Sequence, residues 1–202
     1  MKSAILDFGN VVALFDHRKA ARQIAALSSA GVTEDEVYDA VFLSFLESGF
    51  DIGAMTDREF IERLRRQFDL QASDADIERA WSDIFSPNVE MADLLQRIRE
   101  RSGRMILASN TNELHFRQIE RQFSPELGLF DELVLSFRVG ARKPDHTFFA
   151  RCLDTANARS RDCVYVDDRP DFVEAAVKLG LNGIVYTPGA GLGAGILAAI
   201  ER

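Results

Sequence analysis

Residues 3–10 read Ser3-Ala4-Ile5-Leu6-Asp7-Phe8-Gly9-Asn10. A short apolar run stops at an acid and a glycine. That pattern reads as a buried strand whose carboxyl end opens into a turn. Four later runs stop in the same way: 105–108 at Ser109-Asn110, 132–135 at Ser136, 163–166 at Asp167-Asp168, and 183–186 at Thr187-Pro188. Between the runs lie helical patterns. Residues 89–101 place Met91, Leu94, Leu95 and Ile98 on one face, and 147–156 and 172–179 are similar. Gly103 and Gly180 stand where such helices would stop. Strands alternating with helices predict an α/β fold: a Rossmann-like, doubly wound parallel sheet with helices on both faces.

The alternation is interrupted between the first and second of these runs. Residues 16–86 carry no clear strand and several helical faces, for example Phe60, Ile61, Leu64 and Phe68. Thr33 followed by Glu36 has capping-box spacing, and Pro87 closes the stretch. The expected organisation is a core of 1–15 and 88–202 with a small helical cap, 16–87, inserted after the first strand. Phe42, Phe45 and Phe50 form an aromatic patch in the cap, read either as helix packing or as a cover over a ligand. Residues 51–56, punctuated by Gly53, read as a lid loop. The glycine-rich stretch 188–195 reads as a loop.

The chain of 202 residues suffices for one ordinary core, or a core with an insert. Lysine and arginine number 24 against 32 acids, so 24 − 32 gives a net charge of −8. No basic run is interleaved with aromatics, which argues against a nucleic-acid partner. A negative surface repels anionic membranes, and no apolar stretch is long enough to span a bilayer. Cys152 and Cys163 fit no zinc or redox spacing and read as small buried hydrophobes. Few cysteines and no secretory pattern give a cytoplasmic expectation.

In open parallel sheets, ligands sit beyond the carboxyl ends of the strands. There the sequence places Asp7, Ser109 with Asn110, and Asp167 with Asp168, and Lys143 follows the third of the major strands. Together these are a carboxylate nucleophile, hydrogen-bond donors, a cation and an acid pair, the components that phosphoryl transfer needs. The acids suit a magnesium ion, which takes oxygen ligands from one or two carboxylates. The lysine adds fixed charge near the transferring oxygens, and Asp7 can form an acyl-phosphate. Two adjacent acids at a buried strand end repel each other unless a cation lies between them.

These residues carry a resemblance. Asp7-Phe8-Gly9-Asn10-Val11-Val12 looks like the first motif of the haloacid dehalogenase superfamily. Leu107-Ala108-Ser109-Asn110-Thr111 is similar to the second, Arg142-Lys143-Pro144 to the third, and Val166-Asp167-Asp168-Arg169-Pro170-Asp171 to the fourth. Their order and spacing match across nearly the whole chain, and the insert stands where the family carries a helical cap. Ser109 to Asn112, with 140–144, looks closest to the branch containing alpha-D-glucose-1-phosphate phosphatase. The resemblance implies a magnesium-dependent hydrolase of a small phosphorylated metabolite. It makes Asp7 the nucleophile and a metal ligand, and adds the Gly9 carbonyl and Asp168 as ligands, with Asp167 supporting directly or through water. Ser109, Asn110 and Lys143 would bind the phosphate, and Lys143 would also orient Asp7.

The sequence departs from the family in one important place. Most phosphatases of the superfamily carry a second aspartate two residues after the nucleophile, to protonate the leaving group and activate water. Here that position is Gly9, and proton transfer of this kind is worth roughly a hundredfold to ten-thousandfold. Asp16 and His17, at the hinge into the cap, are candidate surrogates; their plain readings are a helix cap and a packed or solvated residue. A sugar 1-phosphate, with its better leaving group, suits Gly9. So does an alternative reading, a catalytically weak or regulatory phosphate-binding domain. A haloacid dehalogenase needs no magnesium, so Asp167-Asp168 argues against it. Asp171 reads as the N-cap of the following helix, and His115 and His146 as surface or supporting residues.

Overall fold

The first strand is wholly buried because it is the middle strand of five. In the computed structural model, which describes residues 1–44 and 46–202, the strands are β1 Ser3–Leu6, β2 Ala13–Phe15, β3 Phe85–Pro87, β4 Met105–Ser109, β5 Glu132–Leu135, β6 Cys163–Asp167 and β7 Asn182–Val185. Phe45, one of the expected aromatic patch, lies outside the described residues. The main sheet runs β5-β4-β1-β6-β7 with every pair parallel. The helices are α1 His17–Ala26, α2 Glu34–Phe42, α3 Leu46–Asp51, α4 Asp57–Phe68, α5 Asp74–Ser82, α6 Val89–Arg101, α7 Glu113–Gln122, α8 Ser124–Leu127, α9 Ser136–Val139, α10 His146–Ala156, α11 Pro170–Lys178 and α12 Gly193–Glu201.

Strand side chains alternate between faces. Ala4 and Leu6 pack with Met91, Leu95 and Ile98 of α6 and Ile196 and Ile200 of α12. Ile5 points the other way, into a second cluster with Phe148 and Phe149 of α10 and Val173 and Ala176 of α11. Both faces are therefore covered, which explains continuous rather than alternating apolar runs. Tyr165 of β6 lies on the face of Ile5, and Asp167, two residues on, shares that side. The register pairs Ser3 with Cys163 and Leu6 with Val166. One step further, the Asp7 amide donates to the Val166 carbonyl at 2.9 Å. Parallel pairing alone thus brings Asp7 and Asp167 side by side.

The insert holds α1 to α5, as expected, and ends in a short strand, β3, that pairs with β2 just before the insert begins. Ala13–Phe15 and Phe85–Pro87 pair antiparallel, with Phe15 opposite Phe85. Three residues each are too few to show a period of two. The ribbon ties the two legs of the insert together at its base. Capping boxes start α2 at Thr33 with Glu36 and α4 at Thr56 with Glu59. Phe60, Ile61, Leu64 and Phe68 are buried and continue the apolar cluster that lies against α6. The expected lid loop is seated, since a Cβ on Gly53 (φ +69°) would stand 2.5 Å from the Phe137 carbonyl oxygen of α9.

Two local readings are corrected. The loop expected at 188–195 ends early, because α12 begins at Gly193. Asp171 is not a cap: α11 starts at Pro170 after Arg169, and the Asp171 carboxylate takes the Arg169 guanidinium at 3.0 and 2.7 Å. Of the two alternatives for the histidines, His115 is buried beside the cavity, as a supporting residue would be, and His146 is exposed. Cys152 and Cys163 are buried as expected, and burial pushes their thiols up to about 12 and about 11. No helix among the described residues is long and apolar enough to cross a membrane.

Candidate active site

Beyond the carboxyl ends of β1, β4 and β6 lies a cavity of about 130 Å³, lined by Asp7, Ser109, Asn110, Lys143 and Asp168 among others. Its floor is an ion cluster. The Lys143 ammonium is 2.7 Å from Asp7 Oδ1 and 2.7 Å from Asp167 Oδ2, and Lys143 and Asp167 are almost completely buried. Burial works against the lysine's charge, but Asp7 and Asp167 outweigh it and hold its pKa above the ordinary value. Asp7 is pushed up to about 7, chiefly by burial, with Asp167 and Asp168 adding and Lys143 opposing. Asp168 is raised as well, again mainly by burial.

Each floor residue is held from outside the motif. Asn110 uses its whole side-chain amide on the lysine loop: Oδ1 accepts from Lys143 N at 2.8 Å and Nδ2 donates to Lys143 O at 3.0 Å. The Asn110 side chain is therefore fully committed to the lysine loop. Asp167 has both oxygens engaged, Oδ1 by the Arg169 amide at 2.9 Å and Oδ2 by Lys143 and the Tyr165 hydroxyl. It positions Lys143 and has little capacity left for direct ligation. Asp168 Oδ2 accepts from the Asn10 side chain at 2.9 Å, and Asn10 sits at φ +56°, a region asparagine tolerates. The amides of Val11, Val12 and Ala13 converge on the Phe8 carbonyl, and none of the loop's hydrogen bonds falls on the Gly9 carbonyl. Ser136 braces the β4 end, its hydroxyl accepting from Thr111 N and donating to Thr111 O.

The residues fit a divalent cation. Asp7, Asp167 and Asp168 each place a carboxylate oxygen within 4.8 Å of the others. Three carboxylates against one lysine leave a local excess of two negative charges, which magnesium would balance, and all the donors are oxygens.

The position of the missing second aspartate is filled. A Cβ on Gly9 would lie 2.6 Å from Cε1 of Phe15 and 2.9 Å from Cδ1. Phe15 begins a run of rings along the cleft wall into the insert. Its ring centroid is 4.6 Å from His17, His17 stacks on Phe42 at 4.3 Å, Phe42 on Trp81 at 5.4 Å, and Trp81 on His115 at 4.7 Å. Of the two candidate surrogates, Asp16 is out of reach: it is exposed and caps α1, accepting from Arg18 N. His17 lines the cleft, but burial lowers its pKa to about 4, so the ring is neutral at neutral pH.

Sequence reading missed the roof. Glu47 and Asp51, one turn apart on α3, line the cleft with Arg142. Asp51 accepts from Asn112 Nδ2 at 3.1 Å and faces Arg142 at 3.5 Å, while Glu47 meets His17 Nε2 at 3.5 Å. The spacing of two acids on one helical face was the available signal, but nothing in the sequence said that this face turns inward. Tyr165 could have been found from its parity with Asp167.

Asp7 and Asp167, at the ends of adjacent parallel strands, are thus locked around a buried lysine. Residues 1–180 match the haloacid dehalogenase-like hydrolases, and the chain belongs to that family. The sesquiterpene phosphatase astK of Aspergillus oryzae is 26% identical over 188 residues, covering 92% of this chain and 90% of that one. The drimenol cyclase drtB of Aspergillus calidoustus is 24% identical, with 92% of this chain matching 34% of that longer protein. A HAD family enzyme of Bacteroides thetaiotaomicron superposes with a TM-score of 0.85 at 21% identity, covering 95% of this chain and 96% of that one. The same enzyme has been solved with magnesium and inorganic phosphate.

Proposed function

We propose that this chain is a magnesium-dependent phosphatase of small phosphate monoesters, working through an aspartyl-phosphate on Asp7. The observation that carries the reading is the buried Asp7–Lys143–Asp167 cluster with Asp168 beside it. Asp7, Asp168 and the Gly9 carbonyl would hold the ion, with Asp167 supporting from behind. Magnesium supplies charge neutralisation of the phosphoryl group. Lys143 then does two things: it keeps Asp7 ionised and turned toward the phosphorus, and it holds a phosphate oxygen. Ser109 and the backbone N–H of Asn110 bind the remaining oxygens. Hydrolysis of the acyl-phosphate frees phosphate and restores Asp7.

A sugar phosphate is the favoured substrate, in keeping with the resemblance to the glucose-1-phosphate branch. Glu47, Asp51 and Arg142 on the roof support it, since they can hydrogen-bond hydroxyls. A second reading, the phosphate of an apolar alcohol, is favoured by Phe8, Phe15, Ile84, Phe85 and Ile119 along the same cleft and by the likeness to the fungal sesquiterpene phosphatase. Phosphate release from glucose 1-phosphate, a prenyl monophosphate and para-nitrophenyl phosphate, with magnesium and with a chelator, decides between them. Magnesium-dependent turnover of one class over the other names the substrate. A folded protein with no turnover on any would favour the phosphate-binding, regulatory reading instead.

A further inference from the structure

An alkoxide leaves phosphorus poorly unless its oxygen is protonated, and Gly9 supplies no proton. Most of the titratable groups lining the cleft are committed elsewhere. Lys143 is fixed as a cation between two acids, and Asp168 is committed to the metal site. His115 has both ring nitrogens engaged, Nδ1 with Asn112 and Nε2 with the Trp81 carbonyl, each at 3.2 Å, and burial lowers its pKa to about 3. His17 is neutral and packed between Phe15 and Phe42. Asp51 has one oxygen on Asn112 and the other facing Arg142.

Glu47 remains. It descends from α3 into the cavity that holds Asp7, on the wall that runs from Gly9 through Phe15 and His17. The groups facing it are His17 of α1, Asp51 of its own helix and Arg142 of the lysine loop. Buried Asp51 and partly buried Glu47 thus share one guanidinium, because the imidazole is uncharged. Burial first, and then the neighbouring Asp51, hold the Glu47 carboxyl well above the usual carboxylate range, with Arg142 opposing. Asp51 is itself pushed up to about 6 by burial. A carboxyl whose hold on its proton is strengthened in this way suits a general acid, and reach through one bridging water is sufficient.

We propose that Glu47 is the proton donor to the leaving group and the base for the second step, replacing from the cap the acid that Gly9 lacks. The inference rests on the phosphatase reading above. In the first step an Asp7 oxygen bonds to phosphorus, the phosphorus–ester bond breaks, and the ester oxygen takes the Glu47 proton, leaving an alcohol and a Glu47 carboxylate. In the second step Glu47 takes a proton from water, whose oxygen bonds to phosphorus. The phosphorus–Asp7 bond then breaks, and phosphate departs with both acids restored.

The test compares Glu47→Gln with the wild-type enzyme on an alkyl phosphate and on para-nitrophenyl phosphate, whose leaving group needs no proton. The expected loss of kcat/KM is about a hundredfold to ten-thousandfold on the alkyl ester. The para-nitrophenol burst should change only a few-fold. On the alkyl ester the wild-type rate should fall as pH rises through the Glu47 pKa. That limb should vanish in Glu47→Gln and move to lower pH in Asp51→Asn, which removes the like charge. An equal loss on both esters, or a limb that survives in Glu47→Gln, would overturn the proposal. A wild-type enzyme with no burst and no magnesium-dependent phosphate would overturn it too, and would identify the phosphatase reading as the part at fault.

Discussion

The floor and the roof of the cleft are both rich in buried charge, but they are built differently. On the floor, Asp7 and Asp167 each have Lys143 at 2.7 Å, and Tyr165, Asn10 and the Arg169 amide hold the acids further. On the roof, Glu47 and Asp51 share Arg142, with 3.5 Å as the nearest approach, and a neutral His17. Close pairing fixes orientation, which suits a nucleophile and a metal site. Loose pairing lets burial hold the roof carboxyls above the usual carboxylate range with little to fix them in place, which suits proton transfer. The shortfall at Gly9 therefore reads as a division of labour between sheet and insert.

Breaking the floor should have the largest effects. Asp7→Asn keeps the shape of the side chain but removes the nucleophile; turnover should fall by about ten-thousandfold or more, with an unchanged circular dichroism spectrum. Lys143→Met leaves two carboxylates buried without their cation. Its cost should be about 3–5 kcal/mol in urea unfolding, together with loss of activity. Retained stability would mean that the acids are not ionised in the native floor.

The wall between floor and roof gives smaller effects. Gly9→Asp drives a side chain into the Phe15 ring and should cost up to about 3 kcal/mol, relieved in part when Phe15→Ala is added. Such a double variant also restores an acid beside the nucleophile, and its rate on poor leaving groups reports how much the roof already supplies. Without relief from Phe15→Ala, the steric account of Gly9 fails. His115 gives the smallest effect. Its pKa is lowered from 6.5 to about 3, so the unfolded chain binds a proton that the folded one refuses, and stability is lost as pH falls below 6.5. Between pH 7 and pH 5 that loss is about 2 kcal/mol. The stability gap between the wild type and His115→Phe should therefore narrow by that amount in urea titrations at the two pH values.

The same contrast governs what the sequence made legible. Apart from Lys143, which its Arg142-Lys143-Pro144 motif marks, floor residues stand at the ends of apolar runs, and parallel pairing brings such ends together whatever the details. Asp7, Ser109, Asn110, Lys143, Asp167 and Asp168 could thus be picked out in advance. Their supports were harder to see: Tyr165 lies inside an apolar run and looks like core, and Asn10 acts through a left-handed turn. Roof residues depend on how short helices are laid over the sheet. Glu47 meets His17, thirty residues earlier, and Asp51 meets Asn112 and Arg142 across the cleft. No local period records such contacts. The ribbon of β2 and β3 escaped for a related reason, since three-residue strands carry no pattern of their own.

The central claim is that Asp7 carries the phosphoryl group during turnover. Acid quenching during turnover of para-nitrophenyl phosphate with magnesium, followed by mass spectrometry, tests it directly. The account predicts a phosphoryl adduct on the peptide containing Asp7, absent with a chelator and absent in Asp7→Asn. Steady phosphate release with an unmodified Asp7 peptide, or an adduct on another residue, would contradict it.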